Sequence, residues 1–226
     1  RAELEKVYGL LADERSRKVL ENVTAYKLSG RIDRLRACET DPVEAWENIL
    51  RPGREEHYLD LGAYTGDTIA EFIGYAGEWR RITALEPDPM TFAKLERNTA
   101  GLHDCILYRL GAYSRYARLP FAGGAGRGSH LAAGGAMTEL DSVDNILCGQ
   151  TVSLINMDVE GMEAEAIAGM AKTLRRHRPK LLIAGYHRSE DLWRLPLEVL
   201  AIQPEYKVYV RHYPCLPAWD VNFYFV

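Results

Sequence analysis

Apolar residues recur at threes and fours through roughly the first 50 positions: Leu4, Val7, Leu10 and Leu11, then Val19, Val23, Tyr26 and Leu28, then Leu35, and lastly Trp46, Ile49 and Leu50. That spacing is helical, and Gly30 and Asp41-Pro42 punctuate it. Two or three helices are expected over residues 1–53, closed by the turn Arg51-Pro-Gly53. Such an extension is either plain scaffolding or a lid or dimer arm for the domain expected over 54–226.

Beyond that turn the pattern switches to apolar runs alternating with helical stretches. Tyr58, Leu59 and Leu61 surround Asp60, glycines follow at 62 and 66, and Ile69, Phe72 and Ile73 open a helix expected from near Thr65 to about 75. A strand over 81–86, a helix over 88–100 and a strand over 105–110 come next, with Gly111-Ala-Tyr113 closing the last. A glycine-rich stretch from Phe121 to Gly135 reads as a mobile loop, either facing the substrate and ordered on binding or a solvent-exposed hairpin connection. After it come a short helix ending at Leu147 with Asp141 as its cap, a strand over 152–157 that delivers Asp158, and one helix over 163–177 stopped by Pro179. A strand over 180–186 ends at His187, and a helix over 191–200 follows. Runs over 206–212 and 221–225, joined by a proline-containing loop, predict an antiparallel hairpin at a sheet edge. Alternating strands and helices predict an open α/β fold, whose ligands bind beyond the carboxyl ends of the strands.

The 226 residues suit one large α/β domain with an appendage, and 47% apolar content suffices to cover both faces of a sheet. A net charge of -4 disfavours a nucleic-acid partner. The dense basic run, Arg175-Arg-His-Arg-Pro-Lys180, is accounted for by cations at a helix C-terminus. Apolar runs are too short to span a bilayer and no charged-then-apolar leader opens the chain, so a cytoplasmic location and no membrane partner are expected. Cys38, Cys105, Cys148 and Cys215 form no Cys-x-x-Cys pair, which argues for reduced thiols rather than zinc or dithiol chemistry.

The first strand, turn and helix define the ligand. Gly62 and Gly66 allow positive φ and close backbone approach, while the helix mouth offers unpaired N–H groups. A pyrophosphate binder wants Gly-x-Gly-x-x-Gly; here Tyr64 takes the middle position, with carboxylates at Asp60 and Asp67. Carboxylates repel phosphates and suit a ligand carrying an amine cation and a sulfonium, as S-adenosylmethionine does. Glu86 lies roughly 20 residues past the glycine turn, the spacing at which an acid reaches ribose hydroxyls.

Three motifs, Asp60-Leu-Gly-Ala-Tyr-Thr-Gly-Asp67, Glu86-Pro-Asp-Pro89 and Ile155-Asn-Met-Asp-Val-Glu-Gly-Met-Glu163, together resemble the FkbM family of class I S-adenosylmethionine-dependent methyltransferases. Arg127-Gly-Ser129 also resembles a stretch of that family. The resemblance implies a Rossmann-like, seven-stranded, mostly parallel sheet ending in an antiparallel C-terminal hairpin, with the N-terminal helices added. It implies a cofactor site of Asp60, Gly62, Ala63, Tyr64, Gly66, Asp67, Thr68, Glu86, Pro87, Gly111, Ala112, Asp158 and Glu160, the adenine lying by Gly111-Ala112. The implied reaction is O-methylation of a hydroxyl on a sugar or secondary-metabolite-like small molecule; a non-catalytic scaffold retaining the fold is the alternative.

Methyl transfer needs an aligned acceptor and, for a hydroxyl, a base. His187 is the candidate base because imidazole titrates near neutrality and this one follows a strand aimed at the site. Asp158 is the second catalytic candidate, binding the methionine amine, orienting the acceptor or pairing with His187. Glu160 and Glu163 are equally explained by the helix dipole, worth roughly 0.3 to 1 kcal/mol. Three carboxylates and a histidine could together hold a divalent ion, but no spacing fixes its coordination, and no metal is assigned.

Overall fold

The computed structural model describes residues 1–122, 130–131 and 136–226; the Arg127-Gly-Ser129 motif and the glycines at 134 and 135 lie outside the described residues. In chain order the elements are α1 (Ala2–Leu10), α2 (Glu14–Ser29), α3 (Ile32–Arg36), α4 (Pro42–Glu44) running into a π-helical turn (Ala45–Leu50), β1 (His57–Leu61), α5 (Asp67–Ala76), β2 (Arg81–Leu85), α6 (Pro89–Thr99) and β3 (Cys105–Tyr108). There follow β4 (Gly111–Ala112), β5 (Ala117–Ala122), β6 (His130–Leu131), β7 (Ala136–Asp141), α7 (Val143–Leu147), β8 (Leu154–Met157), α8 (Glu163–Gly169) and α9 (Ala171–His177). The chain ends with β9 (Lys180–Ala184), α10 (Asp191–Ile202), β10 (Val208–His212) and β11 (Val221–Phe225). It divides into two compact units, Arg1–Arg51 with Lys180–Val226, and Pro52–Pro179. Seven strands make the main, mostly parallel sheet, as the sequence predicts: the run β8-β1-β2-β3 in the second unit and the run β10-β11-β9 in the first.

In the second unit β1 pairs in parallel with β2 on one side and with β8 on the other, and β2 pairs in parallel with β3. Strand order therefore reverses between β1 and β8, the place where an open α/β sheet leaves a crevice. Past His57 at the start of β1, both strands are apolar except at Asp60 and Asn156, because they are buried on both faces. Helix α5 turns Ile69, Phe72 and Ala76 inward, and the Phe72 ring stacks on Tyr58 with centroids 4.2 Å apart. Helix α6 is started by Asp88, whose carboxylate accepts from the N–H groups of Met90 and Thr91, with Pro89 in the first turn; such a cap is worth about 1 kcal/mol.

Three local expectations are corrected here, and one sheet is new. Helix α5 begins at Asp67 rather than near Thr65, because Gly66 takes a left-handed φ of 90° ahead of it. The single helix expected over 163–177 is two, α8 and α9, broken at Met170. Gly169 packs against the Tyr113 backbone so closely that a Cβ there would stand 1.9 Å from the Tyr113 carbonyl oxygen. A second sheet that the sequence reading did not anticipate, β4-β7-β5-β6, flanks the glycine-rich stretch, most of which lies outside the described residues; in it β5 and β7 are antiparallel. Ser142, not Asp141, caps α7, its hydroxyl accepting from the Asn145 N–H at 3.3 Å.

In the first unit the predicted hairpin is present: β10 and β11 pair antiparallel from Val208↔Phe225 to His212↔Val221, and β11 pairs antiparallel with β9. The N-terminal helices pack on it. Leu11 bridges Val208 and Glu39 bridges His212, so the N-terminal segment covers the outer edge of β10, which would otherwise expose unpaired backbone. Arg211 anchors the arrangement. Its guanidinium is 1% exposed and binds Asp13 Oδ2 at 2.7 Å, Glu44 Oε2 at 2.8 Å and the Ser16 hydroxyl at 2.8 Å. Burial alone would favour losing its proton, but the bonds from Glu44 and Asp13 outweigh that and hold it charged. Asp13 does double duty, capping α2 through the Ser16 N–H at 2.7 Å.

Candidate functional site

The ends of β1, β2 and β8 are tied together by the turn that follows β1. The Gly62 and Ala63 N–H groups both donate to the Leu85 carbonyl, at 3.0 and 2.9 Å, and Gly66 donates to the Ala63 carbonyl at 2.8 Å. Tyr64, at a φ of 46°, donates its N–H to Glu86 Oε2 at 3.0 Å. On the other side, the Asp158 N–H donates to the Leu61 carbonyl at 2.9 Å. Gly62 has a φ of 85°, and a Cβ on it would lie 2.0 Å from the Asp158 carbonyl oxygen. The close approach that this glycine permits is thus to the end of β8.

Asp60 is fully buried, and both its oxygens are engaged: Asn156 Nδ2 donates to Oδ1 at 2.8 Å and the Thr68 hydroxyl to Oδ2 at 2.5 Å. Burial lifts its carboxyl to about 6, against the pull of those two hydrogen bonds and with help from the Asp67 and Asp158 charges. Asp60 therefore braces β1 to α5 and to β8. Asn156 is a site residue the sequence reading missed. Its signal was a polar residue in an apolar run, and the register places it directly opposite Asp60.

Glu86 bridges two turns, Oε2 accepting from Tyr64 and Oε1 from the Asp88 N–H at 2.8 Å. It is 7% exposed, and burial, opposed by the bonds from Asp88 and Tyr64, pushes it up to about 7. Pro87 stands between the two turns, half-buried. Asp67 is exposed at the first position of α5, and Thr68 follows it.

Beyond β8 the chain turns sharply, with Glu160 at a φ of 53° and Gly161 at 89°. Glu163, 1% exposed, accepts from the Val159 and Gly161 N–H groups at 3.1 and 3.3 Å. Its carboxylate closes the turn that leads into α8. Gly111 and Ala112 do not simply end β3; they pair in parallel with Leu140 and Asp141 of β7. A Cβ on Gly111 would lie 2.6 Å from Leu140 Cδ2, so a side chain there would displace the end of Leu140. His187 belongs to the first unit, where it is half-buried two residues past Gly185 with its ring 4.3 Å from that of Tyr186.

A parallel run with its reversal beside a glycine turn, and buried acids at the ends of β1 and β2, define a Rossmann-like fold of methyltransferase type. Residues 60–209 match the family described as the methyltransferase FkbM domain, and the chain belongs to that family. An FkbM methyltransferase from Methylobacillus flagellatus KT is similar over 100% of this chain and 58% of its own, with a TM-score of 0.87 and 26% identity. This chain thus spans under two thirds of that relative. Aeropyrum pernix fibrillarin, solved with natively bound S-adenosyl-L-methionine, shares the fold at a TM-score of 0.52 and 13% identity, over 81% of this chain and 71% of its own. An rRNA methylase from Streptococcus thermophilus does so at 0.53 and 12%, over 82% and 96%. No curated protein matches in sequence. Among the described residues no helix is long and apolar enough to cross a membrane.

Proposed function

We propose that the protein is a cytoplasmic S-adenosylmethionine-dependent methyltransferase that O-methylates a hydroxyl on a sugar or secondary-metabolite-like small molecule. One observation carries the cofactor reading. A dinucleotide turn presents free N–H groups to phosphates, whereas here the N–H groups of Gly62, Ala63, Tyr64 and Gly66 all have protein acceptors. What remains around the turn is acidic: Asp67, Glu86 and Asp158. That donor set suits a cation with ribose hydroxyls and fits a pyrophosphate poorly.

When bound, S-adenosylmethionine supplies an electrophilic methyl group on a sulfonium. Glu86, fixed by two backbone donors, keeps lone pairs for ribose hydroxyls. Asp67 and Asp158 favour the cationic end of the ligand, and Asp158 is also assigned to orient the acceptor. The half-buried Pro87, Ala112 beside Asp141, and Glu160 complete the set of cofactor contacts. With the cofactor bound to supply the methyl group, His187 would take the proton from the acceptor hydroxyl as general base. His187→Ala then lowers turnover by roughly 100- to 10,000-fold.

Mass spectrometry of sugar and phenol acceptors incubated with protein and S-adenosylmethionine tests the proposal, through the mass gain of one methyl group. Binding of S-adenosylhomocysteine without any methylated product across the panel favours the non-catalytic scaffold instead.

A further inference from the structure

The loop between β10 and β11 carries two large exposed apolar side chains, Leu216 at 50% and Trp219 at 60%. Scattered exposed apolar residues are ordinary on a surface, but this indole is held out by its backbone. Ala218 and Asp220, on either side of it, sit at φ values of 69° and 65°, a left-handed conformation that non-glycine residues adopt at a cost. Ala218 points inward and is 2% exposed, so Trp219 is turned outward. The loop is closed by the Tyr213 N–H donating to the Asp220 carbonyl at 3.1 Å and the Ala218 N–H donating to the Cys215 carbonyl at 3.3 Å. Tyr213 and Tyr224 meet through their hydroxyls at its base.

Its position is the second observation. Ala184, the last residue of β9, pairs with Asn222 at the start of β11, and the Gly185 N–H donates to the Val221 carbonyl at 2.8 Å. The loop therefore leaves the sheet at the carboxyl end of β9, the same end as the turn carrying His187. That is the end at which open α/β sheets receive ligands.

We infer that Trp219 is an acceptor-binding residue, its indole forming a platform for a flat, weakly polar ring: the C–H face of a neutral sugar or the face of a phenol. This rests on the methyltransferase reading for there being an acceptor. A rigid indole offers a large apolar face with little conformational freedom to lose, and ring stacking adds to the area it covers. Strain in the loop serves to keep that face presented.

Saturation-transfer NMR tests it, with methyl glycosides of neutral hexoses as one arm and monocyclic phenols as the other. One arm is expected to receive saturation at its ring C–H protons. Trp219→Ala is expected to weaken that binding by about tenfold or more, with Trp219→Phe retaining part of it. Melting temperature and S-adenosylhomocysteine binding stay unchanged, because the side chain is exposed. Equal binding by wild type and Trp219→Ala, or no contact from either arm with wild type, overturns the inference. Failure to bind S-adenosylhomocysteine defeats the methyltransferase reading separately, since neither arm contains the cofactor.

Discussion

Glu86 accepts the backbone N–H of Tyr64, so the acid expected to meet a ribose is also the group that fixes the turn after β1. Replacing it with Gln sets an amide N–H2 against one of two backbone donors and removes the charge. Glu86→Gln is expected to weaken S-adenosylhomocysteine binding by roughly 10- to 100-fold, the scale of a hydrogen bond to a charged group. Isothermal calorimetry reads this; an affinity within twofold of wild type contradicts the assignment.

The same carboxyl gives a pH signature. Its folded value of about 7 lies above that of an unfolded glutamate, as the Asp60 value of about 6 lies above that of an unfolded aspartate. The folded protein therefore binds more protons than the unfolded chain between those limits, and stability rises as pH falls through 7. His212, held below its ordinary value by burial, acts in the opposite sense, losing stability below the unfolded histidine value. Comparison with Glu86→Gln cancels that shared contribution. Denaturant melts are expected to show wild type gaining roughly 1 kcal/mol on the variant between pH 8 and pH 6. A constant difference across that range removes the raised carboxyl from the account.

Gly62 and Gly66 separate two demands on the turn. A methyl group on Gly62 would collide with the Asp158 carbonyl, a backbone atom, whereas on Gly66 it would meet Leu95 Cδ1 at 3.2 Å, a side chain that can shift. Gly62→Ala is expected to lose roughly 3 kcal/mol or more, and Gly66→Ala about 1 to 2. Equal losses in urea unfolding contradict the close contact between turn and β8.

Local patterns revealed what local physics fixes. The apolar residues around Asp60, the glycines after it and the face of α5 announced strand, turn and helix, and Glu86 announced itself by spacing. What escaped depends on partners distant in the chain. That Thr68 and Asn156 each donate to an oxygen of Asp60 was not legible, since Asn156 lies on a strand far along the chain. At the break after Gly169 the Tyr113 backbone packs close, a contact that no helical periodicity encodes. Strands β5 and β7 went unassigned because each is held by the other across the intervening glycine-rich stretch. Arg211 drew no reading from the sequence; only the fold brought Asp13 and Glu44 to it.

That buried cation yields a prediction about combined substitutions. Asp13→Asn leaves Arg211 short of one carboxylate and is expected to cost about 2 to 3 kcal/mol, less than a fully buried pair because Asp13 is 34% exposed. Arg211→Met made together with Asp13→Asn and Glu44→Gln should cost less than Arg211→Met alone, since that single change strands two carboxylates. Guanidinium melts of the set measure the coupling; strictly additive losses contradict it.

Calorimetric titration of the purified protein with S-adenosylhomocysteine and, separately, with NAD is the most direct test of the acid-lined turn. The expected result is saturable binding of the thioether nucleoside and no heat from the dinucleotide. Uptake of NAD with indifference to S-adenosylhomocysteine would mean that the engaged N–H groups and flanking carboxylates have been assigned the wrong ligand.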